Sequence, residues 1–209
     1  MRAIGDTADI TRDYAHDWVR EANAAQGVTE PSSQADAGEH PHDLVPQPDQ
    51  DAQPQRTGTG AVQLTEMGWS TEGPTQRETI AHHGDTLTIR ARLVVHQPCD
   101  RLVVSYHIKN RQNQHVMGAH TADRAEVYGR AWQPGDVAEI VFRTPVLLHE
   151  GQYSLTMLAA SMGDVRQYTD AVFHDWIEDV AVMSVAARNH FPLSDMVEVA
   201  NEVEVRLGG

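Results

Sequence analysis

Polar and aromatic side chains that could bind a glycan recur along the predicted strands of this 209-residue chain. Sugar binding uses aromatic rings that lie against sugar faces, groups that hydrogen-bond to sugar hydroxyls, and arginines where the sugar is anionic. In the predicted registers, or in loops beside them, the candidates for this role are Arg90, Arg92, Ser105, His107, His120, Trp132, Ser154 and Thr156. If their strands are neighbours, these side chains form one polar strip across a sheet.

Each candidate also fits an ordinary structural role. Arg90 and Arg92 are typical of the solvated face of a sheet, and Trp69 and Trp132 fit a packed core as well as a sugar platform. Trp176, within the segment HDWIED, is better explained as a packing anchor at a corner of the fold. Binding and packing therefore remain alternatives for each of these residues.

The elements that must position these side chains are strands, and the clearest one begins at Leu102. In Leu102–Lys109, LVVSYHIK, every second residue from the first is large and apolar, whereas Ser105 and His107 lie on the other side. This period-2 alternation predicts a strand with one buried and one more polar face. The polar run 110–114 and the apolar segment that follows it predict a β-hairpin that ends near Thr121.

Further strands are predicted at regular spacing, without helices between them. They are Ala61–Met67, Thr86–His96, Val137–Arg143, Gly151–Ala160 and Asp179–Val185. The stretch 68–83 is predicted to be a loop or an irregular strand. This pattern predicts an all-β fold, an antiparallel β-sandwich of jelly-roll or immunoglobulin-like type, preceded by a short helix and a flexible linker.

The segments outside these strands complete the predicted organisation. Residues 1–28 contain a helix, Thr7–Ala25, with an apolar stripe that includes Tyr14 and Trp18. Residues 29–60 are rich in proline and polar residues, which predicts a flexible linker. The sandwich is expected to span 61–209 and to end in an alternating strand at about 196–207, which could pair with its own sheet or with a second copy.

Composition and absent motifs narrow the function. The net charge of −14 and the single lysine, Lys109, exclude the basic field that nucleic acid would require. No apolar run approaches about 20 residues, so direct membrane insertion is not expected. Cys99 is the only cysteine, which excludes an intramolecular disulfide and is consistent with a reducing cytosol. No P-loop, catalytic serine motif or zinc-protease motif is present, and neither a cofactor nor a metal is predicted.

Three segments in order carry a family resemblance. They are HVMGAHT after the hairpin turn, EGQYSLTM at Glu150–Met157, and HDWIEDVAVMSV at His174–Val185. Together, over roughly Thr57–Val185, they resemble the C-terminal carbohydrate-binding domain of Wzt-type proteins, the ATP-binding subunits of ABC transporters that export O-antigen polysaccharide.

The resemblance implies a non-catalytic module that recognises O-antigen at its modified non-reducing end during lipopolysaccharide biosynthesis. It also implies a homodimer formed by exchange of the C-terminal strand, contact with the transporter's nucleotide-binding and transmembrane subunits, and a cytoplasmic location at the inner membrane. The segment AIGDTADITRDY resembles the last helix of an ABC nucleotide-binding domain, so the ATPase domain itself is expected to be absent from this chain.

Two other classes of function stay open. The sheet could be a structural dimerisation domain that only spaces or pairs transporter subunits. Alternatively, the sandwich could be an enzyme that acts on glycans, because a pair of carboxylates that hydrolyses a glycoside is defined by spatial separation and not by a sequence motif.

Overall fold

The computed structural model describes residues 7–28, 55–72, 80–166, 170–188 and 193–199. Within these ranges the chain forms two helices and nine strands. In chain order these are α1 (Thr7–Ala25), β1 (Arg56–Thr57), β2 (Val62–Glu72), β3 (Ile80–Ala81), β4 (Thr86–Val95), β5 (Leu102–Lys109), β6 (His115–His120), α2 (Ala125–Tyr128), β7 (Val137–Pro145), β8 (Gly151–Ser161) and β9 (Val172–Val185).

The strands form two packed sheets, as the alternation of the sequence predicts. The larger sheet has the order β1-β9-β8-β5-β6, with β3 also paired to β9, and the smaller sheet has the order β2-β4-β7. Every pair is antiparallel except β3 with β9. The prediction of an all-β antiparallel sandwich preceded by a helix is confirmed.

The core lies between the two sheets and follows the predicted register. Leu102, Val104, Tyr106 and Ile108 of β5 are buried there, opposite alternate apolar residues of β4. The large sheet is longer and wider than the small one, and its other face carries a second buried apolar cluster that includes residues of α1, β5, β8 and β9. The outer face of the large sheet is therefore not a plain solvated surface.

The first long strand runs further than its sequence pattern predicts. The pattern predicts an end at Met67, but β2 continues to Glu72. Pairing with β4 is interrupted around Glu66, which has a φ of 48°, and then resumes. Trp69 is consequently a core residue, and its indole N–H donates to the carbonyl oxygen of Val182 at 3.1 Å.

The last long strand also departs from the prediction, since it begins at Val172 and not at Asp179. Two register shifts against β8 insert extra residues into β9, and Asp179 itself has a φ of 51°. The shifts break the period of two. As a result Phe173, Trp176 and Glu178 all lie on the outer face of the large sheet.

The sandwich begins before the predicted start at Ala61. Most of the predicted linker, residues 29–54, lies outside the described residues. Arg56 and Thr57 form β1 and pair with β9. The prediction that the linker extends to Gly60 is therefore wrong.

The predicted C-terminal strand, at about 196–207, is described only at its start. Val197 forms a bridge with Leu148 of the same chain. The Glu198 carboxylate accepts a hydrogen bond from the guanidinium of Arg188 at 3.1 Å. The remainder of the strand lies outside the described residues, so its exchange with a second copy stays a prediction.

Helix α1 has the predicted bounds, but a different face of it is buried. His16, Val19 and Asn23 pack against the sandwich, whereas Tyr14 is 62% exposed and Trp18 is 38% exposed. The buried residues are spaced three and four apart, as one helix face requires. The predicted stripe therefore has the wrong phase, because polar side chains and not only apolar ones attach this helix.

Neither helix in the described ranges is long and apolar enough to cross a membrane.

A buried ion pair joins the two sheets near the start of β9. The guanidinium of Arg56, in β1, donates to both carboxylate oxygens of Asp175, at 2.6 and 2.8 Å. The backbone N–H of Leu64, in β2, donates to the same carboxylate at 2.7 Å. Burial raises the pKa of Asp175, and the pairing with Arg56 opposes that rise. One carboxylate thus links strands of both sheets.

We expect Arg56→Ala to lower the free energy of unfolding by about 3–5 kcal/mol, because it leaves the Asp175 carboxylate buried without its partner. The exposed pair of Arg92 and Glu66 supplies the control. Arg92→Ala should change the free energy of unfolding by no more than about 1 kcal/mol. Urea denaturation of both variants measures the difference, and equal losses would contradict a special role for the buried pair.

Candidate functional site

A groove of about 670 Å³ opens on the outer face of the large sheet. Strands β5 and β8 form its floor, β6 lies on one side, and β9 with α1 lies on the other. Its volume falls in the range of about 300–1,000 Å³ that is usual for sites of small ligands. Most of the lining is apolar or aromatic, and a serine and three histidines supply the polar side chains.

The polar side chains of the groove come from β5 and β6. Ser105 and His107 project outward because they alternate with the core residues of β5. In the pairing with β6, His120 lies opposite Ser105 and Gly118 lies opposite His107. A Cβ at Gly118 would approach the Tyr106 carbonyl oxygen to 2.6 Å and the His107 ring to 3.0 Å. Glycine is therefore required for the close approach of the two strands beside His107.

Aromatic rings form the opposite side of the groove. The rings of Phe173 and Trp176 meet edge to face, with centroids 5.8 Å apart. The ring of Trp18 in α1 packs against both, with its centroid 5.0 Å from that of Phe173 and 6.2 Å from that of Trp176. Leu158 of β8 pairs with Trp176 and continues the apolar floor.

A buried charged network lies beside this aromatic side. The Glu178 carboxylate accepts hydrogen bonds from the Trp176 indole N–H at 2.7 Å and from the Thr156 hydroxyl at 3.1 Å, and it pairs with the ammonium of Lys109. Asp179 lies 3.5 Å from the same ammonium. Burial opposes ionisation of Glu178, but Lys109 and the hydrogen bonds lower its pKa below the ordinary value. The carboxylate is therefore charged, and it holds the Trp176 ring in place.

Two histidines of the groove, His107 and His115, are neutral at pH 7 because their pKa values are lowered. The rings of His107 and His115 stack with centroids 4.6 Å apart and planes at 16°. Burial lowers the pKa of His107 to about 4, and the nearby His115 and Lys109 add to the effect. Burial also lowers the pKa of His115, with a further contribution from Lys109. Each neutral imidazole can donate one hydrogen bond and accept another.

Comparison with known proteins identifies the family of the chain. The model of the Wzt C-terminal domain family matches residues 53–195. The chain belongs to that family. A crystal structure of the C-terminal domain of wzt is similar, with a TM-score of 0.62 at 18% identity over 73% of this chain and 89% of that one, which supports the fold alone. A comparison with curated proteins finds no match.

Membership of the Wzt family places the groove in a domain of an ABC transporter subunit. The match also confirms the resemblance that the three segments of the sequence carry, and it starts near the observed first strand of the sandwich and not at Ala61. The fold of the wzt domain and the architecture described above agree.

The structure separates the predicted polar strip into two parts. Ser105, His107 and His120 lie together in the groove of the Wzt-type domain. Arg90 and Arg92 lie on β4, in the small sheet on the far side of the core. The expectation that these arginines share a face with Ser105 is wrong, because β4 pairs with β2 and β7 and not with β5.

The remaining candidates are less accessible than the sequence predicts. Trp132 is 2% exposed, its indole N–H donates to the carbonyl oxygen of Val127 at 2.9 Å, and Arg130 covers its ring at 4.5 Å. Trp132 is therefore a packing residue and the prediction of a surface platform is wrong. Thr156 and Ser154 do share the face of His107 by register, but neither lines the groove and Thr156 is fully buried against Glu178.

The aromatic side of the groove is what the sequence pattern misses. From the sequence, Trp176 is interpreted as a packing residue, and Phe173 lies outside every predicted strand. The usable signal is the segment VFHDWIED, 172–179, in which two aromatic residues and three carboxylates crowd into eight positions. Asp and Glu are depleted in regular strands, so such crowding indicates an irregular strand. Among the described residues, no group of three or more His, Cys, Asp or Glu is arranged to hold a metal ion.

Stability should decrease as the pH falls below about 6.5, because the unfolded chain then binds protons on histidines that the folded chain leaves neutral. His107, which is partly buried, and His174, which is buried, both have a pKa of about 4 and carry this effect. The loss begins near the unfolded pKa and is complete near the folded one. At about pH 5 each histidine should account for about 2 kcal/mol of lost free energy of unfolding, which urea denaturation at pH 5 and pH 7 measures.

The variant His107→Gln isolates the contribution of one histidine, since glutamine does not titrate. Its loss of stability between pH 7 and pH 5 should be smaller than that of the wild type by about 2 kcal/mol. His96→Gln, at an exposed position, is the matched control and should follow the wild-type curve. If the loss of stability of His107→Gln between pH 7 and pH 5 equals that of the wild type as well, His107 must already be protonated at pH 5 in the folded state.

Proposed function

We propose that the chain is a non-catalytic carbohydrate-binding module that recognises O-antigen polysaccharide at its modified non-reducing end for export by an ABC transporter. The observation that carries this proposal is the aromatic groove, lined also by three histidines and a serine, on the large sheet of a Wzt C-terminal domain. Aromatic rings can lie against sugar faces, and neutral imidazole and hydroxyl groups can pair with sugar hydroxyls.

The proposed setting follows from the same family. The module would act in the cytoplasm at the inner membrane, through the nucleotide-binding and transmembrane subunits of the transporter, and would serve lipopolysaccharide biosynthesis. It would work as a homodimer that exchanges the C-terminal strand. Val197, at the start of that predicted strand, forms a bridge with Leu148 of the same chain.

The groove favours a sugar end that carries no charge. None of the described residues that line it is Asp, Glu, Lys or Arg. An anion placed there would lose water without gaining a cationic partner, which costs several kcal/mol, and the net charge of −14 would repel it as well. Apolar substituents such as a deoxy position or an O-methyl group would instead fit the surface formed by Val103, Leu158 and Phe173.

The same lining argues for binding over hydrolysis. Glycoside hydrolysis needs a pair of carboxylates on either side of the scissile bond. The nearest buried carboxylate, Glu178, already accepts hydrogen bonds from Trp176 and Thr156 and pairs with Lys109. It is therefore occupied by protein donors and does not face the groove.

Substitutions in the groove should weaken polysaccharide binding without loss of the fold. His120→Ala and His107→Ala should each raise the dissociation constant about two- to tenfold, the effect of one lost hydrogen bond. The probe is the O-polysaccharide released by mild acid from the lipopolysaccharide of the source bacterium, and titration calorimetry measures its affinity. His120 is the cleaner position, because it is exposed and its removal should change stability little.

Arg92→Ala on the small sheet is the matched control, and its affinity should equal that of the wild type within about twofold. A loss of binding in Arg92→Ala, with His107→Ala and His120→Ala unaffected, would move the site to the other sheet. Release of shorter glycans from the probe during the titration would instead favour an enzyme.

Salt dependence tests whether the bound end is uncharged. The affinity should change less than about twofold between about 0.05 and about 0.5 M sodium chloride, because no ion pair with the ligand is screened. A wild-type affinity that falls steeply with salt would contradict an uncharged ligand and would point to the exposed arginines.

A further inference from the structure

Helix α1 is attached to the large sheet by hydrogen bonds to backbone groups and to a side-chain hydroxyl of that sheet. The Asn23 side chain donates to the Phe173 carbonyl oxygen at 2.9 Å and accepts from the Phe173 N–H at 2.7 Å, as a neighbouring strand would. His16 bonds the Thr57 hydroxyl, and Val19 between them is fully buried. These contacts fix both the position and the rotation of the helix on β1 and β9.

The docked helix places one aromatic side chain at the groove. Trp18 lies beside the buried stripe, packs on Phe173 and Trp176, and is still 38% exposed. It lines the same groove as His107 and His120, which lie across the floor on β5 and β6. Tyr14, one turn earlier, is 62% exposed and does not line the groove.

We propose that Trp18 is a ligand-contacting wall of the glycan groove, so that docking of α1 and polysaccharide binding stabilise each other. This inference rests on the proposed function of the groove. A ligand that touches both the sheet and Trp18 binds the docked state more tightly than the undocked one. By reciprocity, the bound polysaccharide then holds α1 on the sheet by the same factor.

The geometry supports a wall and not a plug. With α1 in place the groove keeps a volume of about 670 Å³, so the helix borders the space without filling it. The ring of Trp18 already packs against the rings of Phe173 and Trp176. A glycan in the groove would meet the exposed part of Trp18, and an undocked helix would leave that side of the site open.

Point variants of the full chain test the wall directly, with the mild-acid O-polysaccharide as the probe. Trp18→Ala should weaken binding about tenfold, because an aromatic contact is lost, and Trp18→Phe should restore most of the affinity. Tyr14→Ala, on the same helix but away from the groove, should bind within about twofold of the wild type. Melting curves of all three establish that the sandwich is intact.

Undocking the helix should have the same effect as removing its tryptophan. Asn23→Ala removes both hydrogen bonds to Phe173 and should also weaken polysaccharide binding. The affinity of the double variant Asn23→Ala with Trp18→Ala should lie within about twofold of that of Asn23→Ala alone. In the reciprocal experiment, saturating polysaccharide should slow hydrogen exchange of the amides in α1 of the wild type. It should not slow them in Trp18→Ala.

The outcomes separate this inference from the proposed function. Wild-type affinity in Trp18→Ala, together with loss in His107→Ala, would overturn the wall and leave the glycan site standing. Polysaccharide binding that leaves exchange of α1 unchanged would also overturn the coupling. Absence of any binding or protection in the wild type would overturn both proposals.

Discussion

The groove depends on one buried carboxylate. Glu178 of β9 pairs with Lys109 of β5 and accepts hydrogen bonds from Thr156 of β8 and from the indole of Trp176. Three strands of the large sheet thus meet at a single charge, and the loss of one donor would leave that charge poorly compensated. Because Glu178 lies within one of the two register shifts between β9 and β8, the network sets which residues of β9 face outward there.

In this arrangement the charged groups near the groove are paired with one another inside the protein. Lys109 and Glu178 neutralise each other out of contact with solvent, and the burial of His107 keeps its imidazole neutral. The groove offers a ligand aromatic surface, an apolar floor and the hydrogen-bonding side chains of a serine and three histidines. Such a surface can select a glycan by shape and hydroxyl pattern even though the chain carries a net charge of −14.

Regular alternation made part of this structure predictable. The register of β5 followed from LVVSYHIK, and with it the outward positions of Ser105 and His107. The pattern does not show which strands share a sheet, and Arg90 and Arg92 lie on the sheet opposite that of Ser105 and His107. The bulges of β9 were also hidden, since a period of two does not show where extra residues enter. The burial of Trp132 depends on contacts between residues from separate segments, which local patterns do not report.

The four tryptophans of the chain allow a direct test of the proposed polysaccharide site. Trp69 and Trp132 donate their indole N–H groups to carbonyl oxygens in the packed interior, whereas Trp18 and Trp176 line the groove. In ¹H–¹⁵N spectra titrated with the mild-acid O-polysaccharide, the indole signals of Trp176 and Trp18 should shift while those of Trp69 and Trp132 stay in place. Shifts confined to Trp69 or Trp132, or no shift of any indole signal at saturation, would contradict a glycan site on this face of the large sheet.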